Sequence, residues 1–132
     1  TNYLIIKNIK WSRGKAKTEV LNAHIGIMPL INNKYNKGKA SFKLIQYLSA
    51  GLPVIGSNVG FNRKVINEKN GILVNNKETE WINAILLLSQ SKDTWSTYSK
   101  NALDSWKENF NFQNNLKTWR KLLKLEKTFE KA

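Results

Sequence analysis

The chain has 132 residues, 22 Lys+Arg against 9 Asp+Glu for a formal charge of +13, one histidine and no cysteine. This length holds one domain with a real core and is short for a two-domain enzyme, and the 41% hydrophobic share with five tryptophans places the chain among folded rather than disordered sequences. Without cysteine there are no disulfides, thiol nucleophiles or thiolate metal sites; with His24 alone, a multi-histidine metal site is excluded and a Ser-His-Asp hydrolase is disfavoured.

The charge attracts polyanions: phosphorylated ligands, nucleic acid or anionic lipid. The cations are mostly lysine, dispersed along the chain rather than gathered in one run, so a solvated lysine-rich surface is the plain alternative. No apolar run approaches the roughly 20 residues of a membrane-spanning helix, and the layout of a signal peptide is missing. A cytoplasmic domain is the expectation, and the first residue, Thr1, suggests a chain that is processed or part of something longer.

In chain order, Tyr3 to Trp11 ("YLIIKNIKW") is rich in β-formers and predicts a strand. Ser12 and Gly14 open a predicted helix that runs to about Ala23. His24 to Leu30 ("HIGIMPL") is a short unbroken apolar run suited to a strand covered on both faces, stopped by Pro29. "INNKYNKGKA" reads as a polar loop. From Ser41 to Ala50, Phe42, Leu44, Ile45 and Leu48 fall at helical spacings while Lys43, Gln46 and Ala50 share another face; Gly51 and Pro53 end that helix. "PVIGS" predicts a buried strand, "NVGFNRKVINEKN" a loop with one helical turn, and "GILVN" a fourth strand after the Asn70-Gly71 turn. Helices follow over Glu78–Ser89, Lys92–Asn109 and Phe112–Lys127. Strands alternating with helices specify an α/β fold, a Rossmann-like parallel sheet with flanking helices and a helical C-terminus.

Such sheets bind ligands at the carboxyl ends of their strands, where loops pass to helix N-termini. The loop from Pro29 to Ala40 has that location. A helix N-terminus presents unpaired N–H groups and a partial positive charge to an anion. Here Ser41 is the candidate cap, Lys39 precedes the helix, and Lys43 occupies its first turn, where a cation opposes the macrodipole. A phosphate arriving from outside would reconcile them. Lys39, Lys43 and Gln46 fit one helix face, and the Gln46 amide suits a pair of sugar hydroxyls.

At these residues the sequence resembles the C-terminal, nucleotide-sugar-binding domain of GT-B glycosyltransferases of the family 4 or group 1 type. The resemblance is carried by "HIGIMPL", "KGKASFKLIQYLSAGLPVIGSNVGFN" and "NGILVNNKETEWINAI", and covers about Trp11 to Phe112. It implies transfer of a sugar from a nucleotide-sugar donor with retention of configuration, without a cofactor and without an essential metal. The family's hallmark pair of glutamates falls at Gly38 and Gln46, so neither carboxylate is present. By the same resemblance Gln46 takes the ribose, Lys39 contacts the sugar or a phosphate in place of the first glutamate, and the diphosphate lies against the amides near Ser41, Phe42 and Lys43. Glu19 matches a glutamate that often flanks the base, Gly60 and Asn62 are retained in the following loop, Lys64 stands where glutamate is common, and His24 stands for an aspartate. No residue is assigned as catalytic.

The resemblance further implies an N-terminal acceptor domain as partner, absent here together with the first strands of this half, so the piece alone is expected to be inactive. The apolar stripe Phe112, Leu116, Trp119, Leu122, Leu123 and Leu125 is expected to pack on the sheet rather than form a dimer, and Trp95 and Trp106 to be core. An anionic membrane surface is a compatible further partner. Nucleic acid is not expected, for want of any recognised motif. A basic polyanion-binding module and a non-catalytic α/β interaction domain stand as the alternative functions.

Overall fold

The computed structural model describes residues 4–124. In chain order the elements are α1 (Arg13–Asn22), β1 (Gly26–Met28), α2 (Lys34–Lys37), α3 (Phe42–Ser49), β2 (Val54–Ser57), α4 (Asn62–Val65), β3 (Gly71–Val74), α5 (Glu78–Ser89), α6 (Lys92–Asn109) and α7 (Phe112–Leu122). The strands form one parallel sheet in the order β1-β2-β3, with Ile27 opposite Ile55 and Ile55 opposite Ile72. This is the expected α/β architecture of a parallel sheet with flanking helices and a helical C-terminus.

Residues alternate across the central strand, so each face of the sheet has its own core. Val54 packs with Met28, Leu44, Leu48 and Val65 on the α3 side; Ile55 packs with Val74, Ala84 and Leu88 on the α5 side. β2 is buried at every position, because it alone has a strand on each flank and helices above and below. β1, at the edge, is covered on one face only: Ile27 is 44% exposed, contrary to the two-sided burial its apolar run suggested.

The other pole of the fold is α6, which lies across the amino ends of all three strands. Trp95 Nε1 donates to the His24 carbonyl at 2.7 Å before β1, Ser99 Oγ donates to the Gly51 carbonyl at 2.7 Å before β2, and Asn70 Nδ2 donates to Ser105 Oγ at 3.0 Å before β3. Ten residues of helix advance about 15 Å, enough to cross two strand spacings of roughly 4.8 Å each on a diagonal. Trp106 packs on the core from the same helix, as expected, while Trp95 is half-buried and serves as a clamp.

Three expectations are corrected. Leu4 to Trp11 form no strand: Leu4, Ile5 and Trp11 are 87%, 87% and 79% exposed, and with no neighbouring strand their backbone has no ladder to join. The sheet therefore has three strands rather than four. The loop after β1 contains a turn of helix, α2, because the Asn33 side chain accepts the Asn36 N–H at 2.8 Å and caps it. Finally, α7 does not pack on the sheet. It leans on α6 with no residue buried, leaving Phe112, Trp119, Leu122 and Leu123 exposed. The predicted continuation of α7 to Lys127 lies outside the described residues.

β2 and β3 approach so closely at Gly71 that a Cβ there would fall 2.2 Å from the Val54 carbonyl oxygen. Gly14, in exposed α1, has nothing within 4 Å of the same position. Gly71→Ala is expected to destabilise the fold by about 3 kcal/mol through a clash with backbone that cannot yield. Gly14→Ala is expected to stabilise it by roughly 0.5 kcal/mol through helix propensity. Urea unfolding of both variants checks the pair; equal midpoints would contradict the packing.

Candidate functional site

At the carboxyl ends of the strands, opposite α6, side-chain amides and hydroxyls replace the ladder. Ser57 Oγ, at the end of β2, accepts the Leu30 N–H at 2.7 Å and donates to Asn76 Oδ1 at 2.6 Å, while Asn76 Nδ2 donates to the Leu30 carbonyl at 2.7 Å. This closed ring ties the segments leaving all three strands. Asn76 holds a left-handed φ of 64°, a conformation asparagine tolerates better than most residues.

A second link runs from β2 to the start of α3. Asn62, the fully buried first residue of α4, accepts the Ser41 hydroxyl at 2.6 Å and donates from Nδ2 to the Ser57 carbonyl at 2.9 Å. Asn62 reaches this position because the preceding loop turns at Gly60, whose φ is 53° and whose added Cβ would lie 2.7 Å from the Lys37 carbonyl oxygen. The α4 loop thereby packs on α2 and fixes the basic segment Lys37 to Lys39 beside the sheet.

The Ser41 link has a consequence for α3. Ser41 occupies the N-cap position, only 1% exposed, with a left-handed φ of 53°. Its hydroxyl donates to Asn62 and, from this left-handed backbone, makes no capping bond, and the first turn of α3 holds no acidic residue. The N–H groups of that turn and the positive end of its dipole are left uncompensated by side chains. They border an open cleft of about 530 Å³ whose lining includes Met28, Pro29, Lys39, Ser41, Phe42 and Lys43. Lys39, half-buried, holds its ammonium 5.0 Å from the centre of the Tyr35 ring.

Four of the six residues singled out from the sequence thus converge on one cleft: Lys39, Ser41, Phe42 and Lys43. Phe42, expected on the apolar face of α3, is 69% exposed there, because the helix buries Leu44 and Leu48 instead. Gly38 and Gln46 are not in the cleft lining. Gly38 ends α2 with an ordinary φ of −85°, and a Cβ there would meet only the Tyr35 carbonyl oxygen, at 3.6 Å. Gln46 is exposed one turn further along α3 and lines the grooves between α3 and α1, one of which also holds Lys43 and Glu19. Burial raises the pKa of the neighbouring Tyr47 phenol above its ordinary value.

Sequence reasoning missed the supports. Ser57, Asn62 and Asn76 carry the site's geometry, yet Asn62 stood out only as a retained motif residue. Because the chain is rich in asparagine, no composition signal separates those three from surface positions. His24 is exposed; its carbonyl accepts from Trp95 Nε1, and its imidazole lies tilted against the same indole, 5.9 Å between ring centres.

The left-handed backbone at Ser41 makes a test of this geometry. Ser41→Ala and Ser41→Gly both remove the hydroxyl, but only alanine must keep a Cβ at positive φ. The glycine variant is expected to be the more stable by roughly 0.5–1 kcal/mol, the reverse of ordinary helix propensity. Thermal or urea unfolding of the two variants reads the difference; a more stable alanine variant would refute the assigned conformation.

Residues 11–91, which include the cleft and all three strands, match the family described as glycosyl transferases group 1. The chain is 31% identical over 94 residues to an uncharacterised glycosyltransferase of Methanocaldococcus jannaschii, an alignment covering 70% of this chain and 24% of that protein. The chain thus spans about a quarter of the relative it matches. By the extent of the family match and by this identity, the chain belongs to the group 1 glycosyl transferases.

Proposed function

We propose that this chain is the donor-binding part of a retaining glycosyltransferase, which moves a sugar from a nucleotide-diphosphate sugar to an acceptor glycan or lipid-linked acceptor. The observation that carries the reading is the uncapped start of α3. Its first amides open on a cleft flanked by Lys39 and Lys43, because the left-handed Ser41 directs its hydroxyl to Asn62 and makes no capping bond. Family membership supplies the reaction class.

In this reading the donor diphosphate accepts hydrogen bonds from the backbone N–H groups of Phe42 and Lys43 and lies at the positive end of the helix. Lys43 and Lys39 offset its charge. Glycosyl transfer breaks the bond between the sugar's anomeric carbon and the diphosphate oxygen, which departs with the electron pair. Negative charge therefore grows on the leaving group, and donors already fixed in place stabilise that charge more in the transition state than in the ground state. Gln46, one turn on, hydrogen-bonds the ribose hydroxyls through its amide oxygen and nitrogen. Gly38 leaves room for the transferred sugar beside Lys39.

The acceptor hydroxyl and the group that takes its proton belong to a separate, N-terminal domain, and the piece alone does not turn over. The reaction calls for no cofactor or essential metal. The protein works in the cytoplasm, where an anionic membrane surface would hold it near lipid-linked acceptors. Among the described residues no helix is long and apolar enough to cross a membrane.

Titration of the chain with UDP, GDP and ADP, followed by amide NMR, is expected to shift Gly38 to Gln46 selectively for at least one of them. Lys43→Ala is expected to weaken that binding about tenfold, as for loss of a charge-assisted phosphate contact, with an unchanged melting temperature because the side chain is exposed. In the full-length protein the same substitution should lower kcat/KM for the donor. Binding of no nucleotide, or full transfer by a Lys39→Ala, Lys43→Ala double variant, would overturn the donor-site reading.

A further inference from the structure

Where β2 and β3 end, an exposed arginine is held in place without being neutralised. Asn58 and Asn75 are the first residues after these strands. The Asn58 N–H donates to the Val74 carbonyl at 2.7 Å, and its Nδ2 donates to Asn75 Oδ1 at 3.0 Å. Arg63, the second residue of α4, docks on Asn58 twice: Nε donates to Oδ1 at 2.7 Å and Nη2 to the backbone carbonyl at 2.9 Å. Both acceptors are neutral, and the nearby carboxylate of Glu80 accepts from the Asn75 N–H. Ordering an exposed arginine costs rotamer entropy, and no opposite charge offsets that cost at Asn58. Nor is the arm required to staple α4 to the sheet, since Asn62 already does so through two buried hydrogen bonds.

We infer that Arg63 binds the phosphate of a phosphate-linked acceptor, at a place distinct from that of the donor diphosphate. The inference rests on the donor-site reading above and names the acceptor's chemical class. Asn58 occupies the Nε edge of the guanidinium, which leaves Nη1 and the second Nη2 hydrogen as a planar fork of the kind that pairs with phosphate oxygens. The fork stands at the carboxyl ends of the strands, the edge at which parallel sheets take their ligands. Arg63 and Asn58 do not line the cleft at the start of α3; Asn62 lies between the two places, bonded to Ser41 on one side and followed by Arg63 on the other. An anion at Arg63 is therefore not the group that the α3 amides hold. A lipid-linked acceptor carries its phosphate beside the sugar that is extended, whereas a neutral glycan carries none, so the arginine favours the first of these classes over the second.

The test is calorimetric titration of the full-length protein, its donor site first saturated with whichever of UDP, GDP and ADP binds best. Geranyl diphosphate is the phosphate-bearing probe and geraniol its uncharged counterpart. Geranyl diphosphate is expected to bind and geraniol not to. Arg63→Gln is expected to weaken geranyl diphosphate about tenfold, as for loss of a charge-assisted contact to phosphate, with nucleotide affinity unchanged. Asn58→Asp, which keeps an acceptor for the arginine but sets a carboxylate against its charge, is expected to weaken the probe likewise. Failure of geranyl diphosphate to bind, equal binding of geraniol, or unchanged affinity in either variant overturns the inference while the donor site stands. Equal weakening of nucleotide and probe in Arg63→Gln also overturns it, since that pattern marks a displaced α4 loop rather than a lost phosphate contact. If no nucleotide binds the unsubstituted protein, the donor-site reading falls first and the inference with it.

Discussion

The complete burial of β2 is the constraint from which the rest of the molecule follows. In a three-stranded sheet one strand alone has neighbours on both sides, and here Val54 to Ser57 are buried at every position. Backbone groups so enclosed cannot reach water, so the chain entering and leaving the strand must be satisfied from within the protein. At the amino end the Gly51 carbonyl accepts from Ser99 of α6; at the carboxyl end the Ser57 carbonyl accepts from Asn62. The two ends are solved differently. A long helix crosses the first, whereas short polar side chains on loops secure the second. The second borders the cleft at the start of α3.

That solution determines the chemistry of the cleft. Asn62 satisfies the Ser57 carbonyl with its amide nitrogen and then has an oxygen left in a buried place, which the Ser41 hydroxyl fills. A serine at an N-cap would ordinarily accept the N–H of the first turn. Ser41 is instead drawn inward at a left-handed φ, and α3 begins without a side-chain cap. Burying one asparagine amide correctly is thus what exposes the helix start. Among the described residues no buried side-chain nitrogen or oxygen lacks a partner, while the amides at the start of α3 border the cleft.

The sequence carried the sheet and the later helices clearly, because their signals are local. "VIGS" and "GILV" are short apolar runs bounded by turn residues, and α3 shows its period through Leu44 and Leu48. It failed where an element depended on a partner. "LIIKNI" has every mark of a strand, yet strand propensity describes fit to a pleated neighbour, and no neighbour lies beside it. α7 has a clear apolar stripe, but a stripe states that something should cover it and does not say what. Of the site, Lys39 and Lys43 were legible from their place before and within a helix start. The Ser41–Asn62 bond joins residues 21 apart through a buried amide, a link that no periodicity encodes.

The position of Lys43 sets the electrostatics of the start of α3. In the first turn of a helix a cation sits against like partial charge and is unfavourable by a few tenths of a kcal/mol. The start of α3 compounds this by having neither a carboxylate nor a side-chain cap, and Lys39 stands just ahead of it. Each of these choices lowers the intrinsic stability of α3 in isolation, and the buried Leu44 and Leu48 hold the helix in place regardless. A doubly charged phosphate group placed in the cleft would leave those mutual repulsions as they are and add an attraction to each of the same groups. The same groups that are unfavourable to each other would be favourable to it, on a backbone that the Ser41–Asn62 and Asn62–Ser57 hydrogen bonds hold. Local disfavour sustained by a well-packed core is the energetic form that preorganisation takes. In this chain it is concentrated on the first turn of α3.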